Sequence, residues 1–174
     1  QDIEMLGRSL GGARLAATQE NPVDAAWQGR PSAPIWPVRA LPAEAAGVEV
    51  AEKLAQLRTM IEAEGADFLV VHDPCSVCWL LNIRGGDMAH TPLVFSRAIL
   101  PLNGPVHLFV DRRKLTADIR DYLGQYCEVH EEAEIGEVFD GIAAGATFLV
   151  DPTASAWFSE RIIATGGDVR YQQD

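Results

Sequence analysis

Between residues 48 and 171 the sequence alternates short apolar runs with longer stretches in which apolar residues recur at helical spacing. Short apolar runs are typical of buried strands, and the longer pattern is typical of amphipathic helices. Asn103-Gly104 separates two of the runs and is a strong hairpin signal. The pattern therefore predicts an α/β fold with a mixed sheet and helices on its faces. The predicted strands are 67–71, 93–100, 106–110, 127–130, 148–150 and 168–171.

The helix predicted over 48–64 is the clearest, because Val50, Leu54, Leu57 and Ile61 recur at spacings of four, three and four. Shorter helices are predicted over about 75–81, 112–123, 134–143 and 152–165.

Three predicted strands are followed by an aspartate, namely Asp73, Asp111 and Asp151. We interpret all three as structural N-caps, because an Asp side chain accepts the free N–H groups of a helix start, and the Pro that follows Asp73 and Asp151 suits the first helical position. The alternative is a small metal-dependent phosphohydrolase, since carboxylates at strand ends can hold a divalent cation.

The chain before residue 48 has a different character. A helix over 2–10 and a strand over 13–18 cannot bury their own apolar faces, so residues 1–29 are predicted to be the remnant of a first domain. Asn21-Pro22 begins a short helix. Four prolines between 30 and 42 predict an extended linker over 30–47, with a polyproline ligand as the alternative. The main domain is predicted over 48–174.

The net charge of −11 is concentrated in the main domain, where residues 48–174 carry −10. A surface this acidic repels phosphate backbones and anionic lipid, so nucleic acid and membranes are poor partners. Three cysteines do not make a disulfide framework, and no apolar run is long enough to span a bilayer. A cytoplasmic location is expected.

The segment 79–92, WLLNIRGGDMAHTP, combines polar side chains and glycines between two apolar runs. Buried polar groups would each need a partner, so this composition indicates a loop held by rigid neighbours. Its candidate functional residues, for a substrate cleft or a domain contact, are Asn82, Arg84, Asp87 and His90. The alternative is scaffolding, with an internal Arg84–Asp87 ion pair fixing the loop.

The other polar patterns in the sequence do not indicate a functional site. Cys75 and Cys78 have C-x-x-C spacing, but a structural zinc would need two more ligands, and coincidence is the simpler interpretation. His72, His107 and His130 are isolated at strands or strand ends. No residue in this chain is predicted to be catalytic or to bind a metal.

The 79–92 run resembles the W-L-x-N-x-R-G-x-D-x-x-H-x-P motif in the middle domain of Xaa-Pro aminopeptidases, of the creatinase/prolidase superfamily. The run 21–27, followed by Arg30-Pro31, resembles the end of their first domain. The resemblance implies the creatinase amino-terminal fold, preceded here by the remnant of a similar domain.

The same resemblance implies that the chemistry belongs to a third domain, where two Asp, one His and two Glu hold two divalent metal ions, expected to be manganese. Those motifs do not occur in this sequence, so the chain is expected to be a non-catalytic fragment. Its expected partners are the catalytic domain of the same parent chain, a proline-containing peptide and a second copy in a homodimer. A stand-alone peptide- or protein-binding module is the alternative.

Overall fold

The computed structural model describes residues 2–11, 13, 16, 18 and 21–173. They fall into two compact units, Gln1–Pro34 and Ile35–Asp174.

The first unit contains two short helices, α1 (Asp2–Ser9) and α2 (Pro22–Ala26). The Asn21 side chain accepts a hydrogen bond from the Val23 N–H at 2.9 Å, which is the capped start that Asn-Pro predicts. The strand predicted over 13–18 includes residues 14, 15 and 17, which lie outside the described residues.

The second unit is built on strands and helices in alternation. Its strands are β1 (Arg39–Ala40), β2 (Phe68–Val71), β3 (Ile83–Arg84), β4 (Arg97–Pro101), β5 (Val106–Phe109), β6 (Cys127–His130), β7 (Thr147–Val150) and β8 (Asp168–Tyr171). Its helices are α3 (Ala43–Ala46), α4 (Val50–Ala63), α5 (Pro74–Leu80), α6 (Ala117–Leu123), α7 (Ile135–Ile142) and α8 (Ala156–Ala164), with 3-10 turns at Arg112–Lys114 and Glu132–Glu134.

Six of these strands form one mixed sheet in the order β6-β5-β4-β2-β7-β8. The β2–β4 and β4–β5 pairs are antiparallel, and the β2–β7, β5–β6 and β7–β8 pairs are parallel. Asn103-Gly104 lies in the hairpin between β4 and β5, as its sequence predicts. The predicted mixed α/β fold is confirmed.

Alternate side chains of the strands supply two cores, one on each face of the sheet. On one face the strands pack against α4, α5 and α6 through Leu54, Leu69, Val71, Leu80, Leu108 and Ile119. On the other they pack against α7 and α8 through Val70, Ile99, Phe139, Phe148, Phe158 and Ile162. None of the helices in the part of the chain that the structure describes has the length and apolar composition needed to cross a membrane.

Part of the proline-rich segment is built into the second unit. The Val38 N–H donates to the Lys114 carbonyl at 2.9 Å, and β1 pairs antiparallel with β3. The Leu41 N–H donates to the Asn82 carbonyl at 2.7 Å. These contacts bring residues 38–41 against the start of the 82–92 segment.

Three predicted elements are wrong in detail. The helix predicted over 112–123 is divided into the 3-10 turn and α6. The helix predicted from residue 152 begins at Ala156, where Ser155 is the N-cap, so Asp151 caps a turn and not a helix. Residues 93–96 are not part of β4. The Leu93 carbonyl and the Phe95 N–H bond to Asp87, and the Val94 N–H donates to the Cys78 sulfur of α5.

Candidate functional site

The polar segment between α5 and β4, residues 82–92, folds back on itself; we call it the signature loop. The Asp87 N–H donates to the Leu93 carbonyl at 3.2 Å, and the Thr91 N–H donates to the Met88 carbonyl at 3.3 Å. Residues 88–90 are exposed, whereas Asn82 and Asp87 are buried. The loop thus has a buried base and an exposed tip, residues 88–90.

Asn82 fixes the start of the loop through Lys53 of α4. The Lys53 ammonium donates to Asn82 Oδ1 and to the Trp79 carbonyl, both at 2.6 Å, and lies 4.5 Å from the centroid of the Trp79 ring. Asn82 Nδ2 donates to the Val48 carbonyl at 2.9 Å. The side chain of Asn82 therefore supports its own backbone at a φ of 48°, a left-handed conformation that Asn tolerates better than most residues.

Burial and the nearby charge of Arg84 both lower the pKa of Lys53. Among the described residues, this ammonium contacts carbonyl oxygens and a ring face. Such a group is costly to bury unless its hydrogen bonds are satisfied.

Asp87 fixes the second half of the loop through Lys114. Lys114 Nζ lies 2.7 Å from Asp87 Oδ2, and the same oxygen accepts from the Phe95 N–H at 2.7 Å. Within the described residues, Asp87 Oδ1 is buried and has no hydrogen-bond partner. The contacts that hold this carboxylate in place are therefore made by Oδ2.

Arg84 does not pair with Asp87, so the predicted alternative of an internal Arg84–Asp87 ion pair is wrong. One guanidinium nitrogen, Nη1, donates to the carbonyls of Ile83 and Cys78 at 2.7 and 3.0 Å. The side chain is only partly buried. Arg84 thus combines a local structural role with a cation at the domain surface.

The two glycines of the loop lie at close approaches. A Cβ at Gly85 would lie 2.7 Å from Val94 Cγ2 and 2.9 Å from the Leu93 carbonyl oxygen. A Cβ at Gly86 would lie 3.2 Å from the ring of Trp36. Glycine at 85 is therefore required for the two arms of the loop to pack.

His90 lies at the exposed tip with a φ of 63°. Its neighbour Met88 is also exposed, at 47%. The four candidate residues thus separate into two roles, because Asn82 and Asp87 hold the base whereas Arg84 and His90 offer polar groups at or near the surface.

The strand-end aspartates are not brought together as a metal centre. Asp73 caps α5 by accepting from the Cys75 N–H, as predicted, and Asp111 caps the 3-10 turn while its carboxylate binds the Arg113 guanidinium. That guanidinium lowers the pKa of Asp111 to about 2. Asp73 and Asp151 line a shallow depression of about 340 Å³ with His72, but the grouping of potential metal ligands in the described part of the chain includes none of the three aspartates.

Sequence reasoning missed both lysines that hold the loop. Lys53 lies three residues after Val50 and next to Leu54, so it falls on the apolar stripe of α4, and this position was the available signal. Lys114 carries no comparable signal, because it lies in a three-residue 3-10 turn that is too short to show an apolar stripe.

A six-stranded mixed sheet covered by helices, with an anchored polar loop before its β4 strand, defines an α/β domain of the creatinase amino-terminal type. The family model for the Creatinase/Prolidase N-terminal domain matches residues 29–174. The chain therefore belongs to the creatinase/prolidase N-terminal domain family, which confirms the expected fold.

Similar proteins include curated aminopeptidases. Aminopeptidase P1 of Lotus japonicus is 37% identical over 144 residues, which cover 82% of this chain and 21% of the relative. The probable Xaa-Pro aminopeptidase P of Aspergillus niger is 36% identical over 172 residues, covering 93% of this chain and 27% of the relative. The chain thus spans about a quarter of the length of these relatives.

Solved structures agree on the fold. The X-prolyl aminopeptidase of Caenorhabditis elegans, described as a cytosolic enzyme with a di-nuclear active site, superposes with a TM-score of 0.81 at 23% identity, over 91% of this chain and 27% of the other. The N-terminal domain of the cytoplasmic peptidase PepQ of Mycobacterium tuberculosis superposes with a TM-score of 0.51 at 14% identity, over 70% of this chain and 93% of the other.

Proposed function

We propose that this chain is a non-catalytic part of a dinuclear, metal-dependent Xaa-Pro aminopeptidase, which removes the amino-terminal residue preceding proline. Its signature loop would contact the catalytic domain of the same protein and shape the approach of the peptide. The observation that carries this proposal is the exposed tip of a loop whose base is held by two buried lysines.

The relatives support the choice of enzyme class, since one is named as an aminopeptidase P1 and the other as a probable Xaa-Pro aminopeptidase P. The nematode protein is described as cytosolic and di-nuclear, which favours a cytoplasmic location and two divalent ions, expected to be manganese, in the parent. The residues of the signature loop do not fit such a pair of ions, because Asp87 binds Lys114 and His90 has no second metal-ligating residue grouped with it in the described chain. We assign no step of hydrolysis to this chain.

A loop with this construction suits recognition. Binding costs less free energy when the contacting groups are already ordered, and the anchors at Asn82 and Asp87 order the loop before any partner arrives. Arg84 can offer a guanidinium to a carboxylate or a peptide carbonyl, and His90 can donate or accept a hydrogen bond. A domain placed beside a cleft also excludes water and long or folded substrates.

The test uses the full-length parent enzyme and an Xaa-Pro peptide. Replacing His90 with Ala removes an exposed side chain, and replacing Arg84 with Ala removes the surface cation. We expect each change to raise KM or to lower kcat/KM by about tenfold, the equivalent of about 1.4 kcal/mol. Glu160→Ala on the exposed side of α8 is the matched control and should leave the kinetics unchanged.

Arg84→Lys separates the two roles of Arg84, since it keeps the charge but removes the guanidinium whose Nη1 donates to two carbonyls. Wild-type kinetics in folded His90→Ala and Arg84→Ala enzymes would overturn the proposed contact and leave the loop as scaffolding. Sedimentation of the parent enzyme tests the expected homodimer separately.

One observation favours the alternative of a stand-alone peptide-binding module. An apolar groove of about 440 Å³ lies between α4, α5 and β2, and it is lined by Leu57, Leu69, Val71, Cys75, Ser76, Trp79 and Leu80. If the purified chain bound an Xaa-Pro peptide with a quench of tryptophan fluorescence that is lost in Trp79→Leu, the alternative would gain support. We expect no such binding by the chain without its catalytic partner.

A further inference from the structure

Two histidines and a glutamate converge on strands β5 and β6, and none of them takes part in the signature loop. In the parallel register His107 is opposite Glu128, and Phe109 is opposite His130. Side chains alternate along a strand, so these residues project from the same face of the sheet. His107 Nδ1 lies 3.1 Å from His130 Nε2 and 3.7 Å from Glu128 Oε2, and His130 Nε2 lies 4.0 Å from Glu128 Oε1.

These separations are close to those of a metal coordination shell. In tetrahedral coordination with metal–nitrogen distances of 2.0–2.1 Å, neighbouring donor atoms are about 3.3 Å apart. One potential ligand atom from each of the three residues lies within 4.8 Å of the other two. Small side-chain rotations would place all three donors around one ion, with the fourth position open to water.

The two imidazoles are held in place while the carboxylate can adjust. The side chains of His107 and His130 are 17% and 14% exposed, and the His130 ring stacks on Phe109 at a centroid distance of 5.2 Å. The Glu128 side chain is 58% exposed and lies on β6, at the edge of the sheet. Rigid histidines with an adjustable carboxylate form a site that can close on an ion.

The contact between the two imidazoles also leaves a lone pair available for a metal. Two imidazole nitrogens 3.1 Å apart cannot both carry a proton, so at least one presents a lone pair. Neutral imidazole is the form that binds a metal.

We propose that His107, Glu128 and His130 bind one zinc ion. Two imidazoles and one carboxylate suit Zn²⁺, whereas Mg²⁺ and Ca²⁺ prefer sites made entirely of oxygen atoms. The ion would join the edge strand β6 to β5. Because it binds the folded chain, it stabilises that state by mass action.

The experiment titrates the 174-residue chain, freed of metal with a chelator, with ZnCl₂ in a calorimeter. We expect one equivalent to bind and the melting temperature to rise, with no response to MgCl₂. Glu128→Gln and His130→Asn should each weaken zinc binding at least about tenfold, as the loss of one of three ligands implies. Glu128→Gln changes an exposed side chain, so its loss of binding would not reflect unfolding.

His72→Asn is the matched control, since it removes a histidine at the end of β2 and should leave zinc affinity unchanged. Imidazole NMR resonances of His107 and His130 should shift with one equivalent of zinc. The proposal is overturned if the wild-type chain does not bind zinc, or if Glu128→Gln and His130→Asn bind it as tightly as wild type. It stands or falls independently of the aminopeptidase assignment, because no part of this test measures peptidase activity.

Discussion

The Lys114 ammonium lies 2.7 Å from Asp87 Oδ2, and 4% and 1% of the two side chains are exposed. The pair joins the segment after β5 to the middle of the signature loop. A buried pair of this kind adds little net stability over an apolar pair of similar volume, but breaking it leaves one charge without compensation.

Breaking the Lys114–Asp87 pair should therefore be costly from either side. We expect Asp87→Asn and Lys114→Met each to lower the free energy of unfolding by about 3–5 kcal/mol. The double variant should lose clearly less stability than the sum of the two single losses, because it contains no unpaired buried charge. Urea denaturation measures the stability of all three variants. Glu132→Gln is the control, because Glu132 pairs with Arg97 at the surface and both side chains are 48% exposed. This change should alter the free energy of unfolding by at most about 1 kcal/mol. Additive single effects would contradict the pairing.

The side chain of Asn82 and its left-handed backbone should contribute separately to the stability of the fold. Asn82→Gly keeps the left-handed φ but removes the bonds to Lys53 and Val48, so we expect a loss of about 2 kcal/mol. Asn82→Ala removes the same bonds and adds the cost of a positive φ, about 1 kcal/mol more. Chemical denaturation of the two variants gives the difference, and equal stability would show that the backbone at residue 82 is not held at positive φ.

Gly85 should not accept a side chain. Ala at this position would place Cβ 2.7 Å from Val94 Cγ2 and 2.9 Å from a backbone oxygen, so we expect a loss of about 1–3 kcal/mol from overpacking. Gly141→Ala is the control, because the space around Gly141 in α7 is open and Ala is the better helix former. It should leave the melting temperature unchanged or raise it. A Gly85→Ala variant as stable as wild type would show that the loop arms can separate.

The cysteines should differ in reactivity. Cys75 is exposed, whereas Cys78 and Cys127 are buried. Burial raises the pKa of both buried thiols, to about 12 for Cys127, and the Cys78 sulfur also accepts from the Val94 N–H. Because the thiolate is the reactive form, a brief treatment with iodoacetamide near neutral pH should add one alkyl group, at Cys75. Mass spectrometry counts the groups, and three should be added after unfolding in urea.

Much of the fold could be predicted because its strands are continuous apolar runs. Strands β6 and β8 begin and end at the predicted residues, 127–130 and 168–171. Strands β1 and β3 were not predicted, because a two-residue strand is too short to show an alternation of apolar and polar residues. Residues 93–96 are as apolar as a strand, but backbone groups of residues 93–95 bond to Asp87, Thr91 and Cys78. In the segment after β7, Asp151 and Ser155 both suit a helix start, and the later residue caps α8.

The candidate site was located by composition, but its arrangement could not be predicted. The polar run at 82–92 indicates a loop that needs partners, and it does not indicate which ones. Lys53 and Lys114 lie 29 and 27 residues away from the side chains they bind. Sequence spacing carries no information about such contacts, which depend on how α4 and the segment after β5 pack around the loop.

The construction of the signature loop also bears on how relatives of this domain can diverge. Lys53 and Lys114 secure only the base, and residues 88–90 at the tip are exposed to solvent. Substitutions of Met88 and Ala89 at the tip should leave the sheet beneath it undisturbed, so the contact surface of the domain can vary while its architecture stays the same.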